Sequence, residues 1–197
     1  MLIPVRKGHN PMIRSYFGLS KTPFATEDVE LLAPQRQILD VLKVHCQQGG
    51  LCLVLGPPGT GKSTIKEALR ACEPKRLIAP VVGRTMHAYN HTLQLLCEAF
   101  GIEPGVGAVK CEKRLIEETF RLNRQNKMIA PIIDDAHLLQ LQCLRKLRLL
   151  FEEFPKNHNL ILIGQSELLA TISLSVNEDI RSRVTYSVLL ERLAPII

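Results

Sequence analysis

The stretch LCLVLGPPGTGKSTIKEALR, residues 51–70, constrains the fold more than any other part of the chain. Leu51 to Leu55 is apolar at every position. A strand with one wet face alternates; a strand without alternation is buried on both faces. A loop of glycines and prolines follows, and an apolar-periodic helix leaves it. A doubly buried strand that feeds at once into a helix belongs in a parallel sheet covered on both sides. The rest of the chain repeats this alternation. Its periodicity predicts helices over 34–47, 62–71, 86–100, 112–126 and 139–154. It predicts strands over 51–55, 77–82, 128–133, 160–163 and 184–190. Pro80 argues against a central place for the second strand, because proline cannot donate to the ladder. The fold class expected is therefore α/β, three layers with the sheet in the middle.

At 197 residues, 46% hydrophobic and 22% charged, the chain suits one domain with a sizeable core. Residues 1–15 lack periodicity and read as a loose tail, with Met12 as an alternative start. Residues 16–197 read as the domain. No apolar run approaches the ~20 residues of a membrane helix. The first residues carry no apolar signal core, so a cytoplasmic location is expected. The six cysteines form no CxxC pair and read as reduced, buried thiols. His87 and His91 are four apart, but no third zinc ligand accompanies them. The net charge of +6 is compatible with a polyanion partner and does not require one.

Gly56-Pro57-Pro58-Gly59-Thr60-Gly61-Lys62-Ser63 fits G-x-x-x-x-G-K-[ST] between a strand and a helix. The glycines let backbone N–H groups converge and leave no Cβ in the way of a phosphate. The helix start adds free N–H groups and its positive dipole end. In such a loop Lys62 charges the β- and γ-phosphates, Ser63 ligates Mg²⁺, and Thr64 supports the α-phosphate side. The bland alternative is a turn between strand and helix.

A triphosphate site also needs a carboxylate for the metal shell and a group that orients water. Asp134 and Asp135 stand at the end of an apolar strand, where ligands bind in parallel sheets. Asp134 is the candidate for the metal shell, through a bound water, and Asp135 for polarising the attacking water. Two aspartates there would also cap the next helix. Gln165 or Ser166, after the strand 160–163, could reach the γ-phosphate or the water, and Ser166 could instead cap a helix. Arg181 and Arg183 precede the last strand. They fit either a solvated surface or an arginine finger reaching into a neighbouring subunit.

These segments together resemble one family. The chain looks like an AAA+ ATPase of the group with the ExeA/GspA secretion ATPases, the TniB- and MuB-like transposition helpers and the Orc/Cdc6-type initiators. YFGLSKTPF is similar to the FGL-x-x-x-PF segment of ExeA-like proteins. LVLGPPGTGKSTI is similar to their Walker A region, PIIDDAHLL to their Walker B, LILIGQSEL to their GQPEL segment, and IRSRVTYSVLL to the segment before the last core strand. The resemblance implies a P-loop NTPase core with strand order 5-1-4-3-2, ATP and Mg²⁺ as ligands, and sites between subunits of a ring or filament. It favours Arg183 over Arg181 as the finger and puts Gln35 near the adenine. Two departures are visible. The family usually has glutamate where this chain has Asp135, which implies slower hydrolysis. RLAPII also ends where the helical lid should begin, so the lid is expected to be missing.

The function this implies is a DNA-linked helper ATPase that assembles as a homo-oligomer on duplex DNA and engages a transposase or recombinase. Lys110, Lys113, Arg114, Arg121 and Arg124 are candidate phosphate contacts, or else a solvated helix face. A secretion-associated ATPase and a nucleotide-gated interaction module with little hydrolysis are the alternatives.

Overall fold

The computed structural model describes residue 18 and residues 31–72, 75–83 and 88–192. Apart from Gly18, the YFGLSKTPF segment lies outside these residues, as do His87 and the last five positions. Strand β1 (Gly50–Leu55) lies between β6 (Asn159–Gly164) and β7 (Val184–Leu189), parallel to both. Beyond β6 come β5 (Ile132–Ile133) and then β3 (Val81–Val82). A two-stranded continuation pairs β2 (Leu77–Ile78) with β4 (Met128–Ile129). Taken from the β7 edge, with β2 and β3 as halves of the second strand and β4 and β5 as halves of the third, the order is 5-1-4-3-2. This is the expected P-loop NTPase order.

The sequence suggested continuous strands over 77–82 and 128–133, but each is split in two. The register is unchanged across each gap, with Leu77 opposite Met128 and Val81 opposite Ile132. The same register sets Pro80 opposite Pro131. Both prolines still accept: Ile132 N donates to Pro80 O at 2.8 Å, and Ile161 N to Pro131 O at 3.0 Å. Neither can donate, so one rung is lost on each side of the third strand. The second strand is at the sheet edge, where proline is tolerated.

The absence of alternation in β1 and β6 has a direct cause. Leu51, Leu53, Leu55, Leu160 and Leu162 face one core. Cys52, Val54, Ile161 and Ile163 face the other. On the second side lie α1 (Ala33–Gln48) and α2 (Lys62–Ala71), through Ile38, Leu39, Leu42, Ile65 and Leu69. The first side is covered by α3 (Tyr89–Ala99), α4 (Ala108–Arg124) and α5 (Leu141–Glu152), and by the shorter α6 (Glu167–Ser173) and α7 (Glu178–Arg181). Three layers follow from the two-faced burial of the central strands.

Some boundaries differ from the sequence reading. Helix α4 begins at Ala108, after Gly107 at φ 85°. Its first turn exposes Val109 at 77%, which hides the helical period in the sequence. The expected helix 139–154 starts later, at Leu141, because Ala136–Leu138 first makes a 3₁₀ turn. The six cysteines are free. Burial pushes the Cys46 and Cys97 thiols up to about 12, so they stay protonated and inert. No helix among the described residues is long and apolar enough to cross a membrane.

Gly49 ends α1 at φ 83°, ψ 163°, a conformation essentially restricted to glycine. A Cβ there would lie 2.6 Å from Lys156 O and 2.8 Å from His158 O. Gly49→Ala is expected to cost about 2–4 kcal/mol, read from the urea unfolding midpoint.

Candidate functional site

The loop leaves β1 at the carboxyl end of the sheet. Gly56 N donates to Gly164 O at 3.1 Å, which ties the loop to the end of β6. Thr60 is buried beneath the loop and donates from Oγ1 to Pro57 O at 2.9 Å. Gly59 and Gly61 adopt φ of 82° and 86°, which turn the chain into the helix. The first helical bond of α2 is Ile65 N to Gly61 O at 3.1 Å, and no side chain caps the N-terminus. The N–H groups of Lys62, Ser63 and Thr64 therefore have no intrahelical acceptor and sit at the positive end of the helix dipole. This is an anion cradle.

Lys62 folds back over the cradle. Its Nζ donates to Gly56 O at 2.6 Å and to Pro57 O at 2.7 Å. Burial lowers the affinity of this ammonium for its proton, against Asp134 and Asp135, which raise it. A Cβ on Gly61 would collide with the Gln35 amide and come 3.9 Å from Thr64 Oγ1. Gln35 and Thr64 thus meet the loop on one side. Gln35 Oε1 is held by Leu32 N at 3.0 Å.

The opposite wall comes from strands three and four. Asp134 extends the ladder, its N–H donating to Val82 O at 2.8 Å. Asp135 follows at φ 52° and ψ 35°, is exposed, and donates its N–H to Asp134 Oδ1 at 3.0 Å. Gln165, just past β6, is hydrogen-bonded to His137 Nε2 at 3.0 Å. His137 Nδ1 is buried without a partner among the described residues. Ser166 is at the start of α6 but makes no side-chain cap bond, so its capping role is not realised.

A cleft of about 440 Å³ is lined by Pro58, Gly59, Gly61, Lys62, Ser63, Asp134, Asp135 and Gln165. All eight were singled out from sequence. Gly56, Pro57, Thr60 and Thr64 support the loop around it. Arg183 is elsewhere. It precedes β7, while Leu190 N, after β7, donates to Leu55 O at 2.7 Å beside the loop. The intervening strand separates Arg183 from its own cleft by roughly 20 Å. There Arg183 is 60% exposed and pairs with Glu152 Oε1 at 3.1 Å. Arg181 pairs with Glu178.

Two site features were missed in the sequence. Lys66 Nζ donates to Asp134 Oδ2 at 2.5 Å, and His137 engages Gln165. The spacing of Lys62 and Lys66, four apart on one helix face, was the available signal for the first. The second depends on a tight turn after Asp135 that no local pattern announces. Gly164 is part of that turn's accommodation, since a Cβ there would lie 3.1 Å from His137 N.

The protein family described as AAA domain matches residues 44–172. No curated protein matches the chain. Among solved structures, the ORC2 protein of Aeropyrum pernix, in ADPNP-ADP complexes, is 15% identical with a TM-score of 0.66, covering 85% of this chain and 50% of that one. Cdc6p from Pyrobaculum aerophilum is 15% identical, TM-score 0.62, over 90% of this chain and 48% of that one. The ORC1 protein of Aeropyrum pernix, in complex with DNA, is 17% identical, TM-score 0.61, over 84% and 47%. The chain spans about half the length of these structures. At such identities the likeness speaks for the fold.

The close approach at the loop's first residue is testable. A Cβ on Gly56 would lie 2.6 Å from Leu190 O and 2.9 Å from Thr60 Oγ1. Gly56→Ala is expected to lose about 1–3 kcal/mol of stability in urea unfolding, because backbone and a buried hydroxyl must move.

Proposed function

The chain belongs to the AAA domain family, and from that premise we propose that it binds MgATP in the cleft, hydrolyses it slowly, and uses bound ATP to assemble subunits on duplex DNA. One observation carries the reading. The glycine loop, the start of α2, the end of the third strand and the residue after β6 open onto a single cleft. A turn that merely joined strand to helix would not need two aspartates and a glutamine opposite it.

The donor set fits magnesium. The Ser63 hydroxyl and the Asp134 carboxylate are hard oxygen donors on one cleft, the first for the ion itself and the second for a water bound to it. Among the described residues, no group of three His, Cys, Asp or Glu could hold a metal. That suits an ion held largely by phosphate and water. When bound, it neutralises charge on the β- and γ-oxygens. Lys62 exchanges its two carbonyl acceptors for phosphate oxygens. Asp135 accepts the proton of the attacking water as the γ-phosphorus–oxygen bond forms, and ADP leaves with the bridging oxygen. Gln165 orients that water or the γ-phosphate. Arg183 is too far from its own cleft, so it serves a neighbouring subunit's site as the finger.

DNA as the surface for assembly is supported by the net charge of +6 and by the resemblance to transposition helpers and initiators. It also agrees with the likeness to an ORC1 protein in complex with DNA. The basic face of α4 is a weaker support than its sequence suggested. Lys113 and Arg121 pair with Glu117 and Glu118, and Arg114 donates to Glu103 O. Lys110 and Arg124 are exposed and form no ion pair with a described residue, so they remain the better contacts. A transposase or recombinase is the partner class proposed.

A second reading is a nucleotide-gated switch with little turnover. The short, exposed Asp135 favours it, since the carboxylate sits one methylene further from the water than glutamate would.

Steady-state phosphate release should fall to background in Lys62→Ala and in Asp135→Asn. If Asp135→Asn leaves a measurable wild-type rate unchanged, Asp135 is not the base. Background release by the wild-type chain that nonetheless binds ATP would select the switch reading. For DNA, ATP-dependent binding to a duplex should weaken steeply across a salt series. Absence of binding at low salt with ATP present would remove DNA from the proposal.

A further inference from the structure

Lys66 is not explained by the loop motif or by the fold. It lies one turn after Lys62 on α2, with its side chain 15% exposed. The exposed face of that helix has its own pair, Arg70 with Glu67 at 3.0 Å. Lys66 instead reaches across to the end of the third strand, where its Nζ is 2.5 Å from Asp134 Oδ2. Asp134 is itself only 21% exposed. Its other oxygen accepts the Asp135 N–H at 3.0 Å. Both carboxylate oxygens are thus occupied by protein donors. Lys62 is likewise occupied by Gly56 O and Pro57 O. The two lysines of α2 are both satisfied within the chain, but in different ways. Lys62 rests on neutral carbonyls that a phosphate can outcompete. Lys66 rests on a carboxylate, the group a divalent cation would seek.

We propose that Lys66 is a built-in counter-cation of Asp134 that competes with Mg²⁺, so that metal-supported nucleotide binding by this chain takes more Mg²⁺ than it would without Lys66. The inference rests on the reading of Asp134 as a metal-shell residue. An ammonium in contact with a half-buried carboxylate neutralises most of the field that would draw a second cation. Displacing Lys66 strands an ammonium in a partly desolvated place, which opposes metal entry. Retaining it leaves the metal beside a like charge. Either way the metal must be supplied at higher concentration than the loop and Ser63 alone would demand. Lys66 acts through Asp134, as a positioning residue, and does not touch the phosphates.

The test is binding of a fluorescent ADP analogue, titrated with Mg²⁺ from a chelated baseline, in the wild-type chain and in Lys66→Met, Lys66→Gln and Lys66→Arg. The neutral variants are expected to bind the analogue as the wild type does in chelator and to shift the Mg²⁺ midpoint down roughly tenfold. Lys66→Arg keeps the charge and should keep the wild-type midpoint. Two neutral variants are used because either could fail to fold, which circular dichroism would report. An unchanged midpoint in a folded neutral variant overturns the inference, and so does a raised one, which would mean that Lys66 holds Asp134 ready for the metal. A wild-type chain that binds no analogue in either condition overturns the nucleotide reading itself, and this inference with it.

Discussion

The rest of the molecule depends on the burial of both faces of β1. Its residues alternate between two cores, one under α1 and α2 and the other under α3 to α7. Such a strand cannot lie at an edge. It must have a parallel neighbour on each side, and β6 and β7 are those neighbours. Parallel strands share one carboxyl end. The loop after β1, the residue after β6 and the aspartates after β5 are therefore delivered to the same side of the sheet without any further contact being needed. The site is a consequence of strand direction before it is a consequence of site residues.

The elements that dominate the core were legible because their apolar pattern is strong. β1, β6 and α2 stand within a residue of where the periodicity puts them. Where the sequence reading drifted, a local feature opposed the pattern. Exposed Val109 hid the start of α4, and the 3₁₀ turn over Ala136–Leu138 leaves Leu139 and Gln140 extended where the helix was expected to begin. All eight cleft-lining residues were readable, since each belongs to a motif or a strand end. The partners that set the state of those residues were not. Lys66 against Asp134 and His137 against Gln165 are contacts between segments roughly 30 to 70 residues apart, and only the sheet register brings them together.

The cleft also has a particular electrostatic arrangement. Lys62, Lys66, the Asp134 carboxylate and the Gln165 amide are each paired with another part of the chain, while the Asp135 carboxylate is exposed. A cradle of uncapped helix N–H groups lies beside them with no such partner. An anion entering the cleft finds the backbone ready and the side chains engaged. Recognition by the loop and recognition by the opposite wall are thus separable, and a ligand pays for the second by breaking bonds that the first does not involve.

The facing prolines have a mechanical meaning of their own. Pro80 and Pro131 remove donors from successive ladders at one level of the sheet, beneath the two residue pairs that carry Asp134. Below that level β2 and β4 form a small flap joined to the main sheet through an isolated bridge from Ile129 to His158. Above it, β3 and β5 are each two residues long. The strip that carries the aspartates is therefore a short cantilever fixed on β6, with a notch at its root. Its stiffness comes from the packing of Ile132 and Ile133 into the two cores more than from hydrogen bonds along its length.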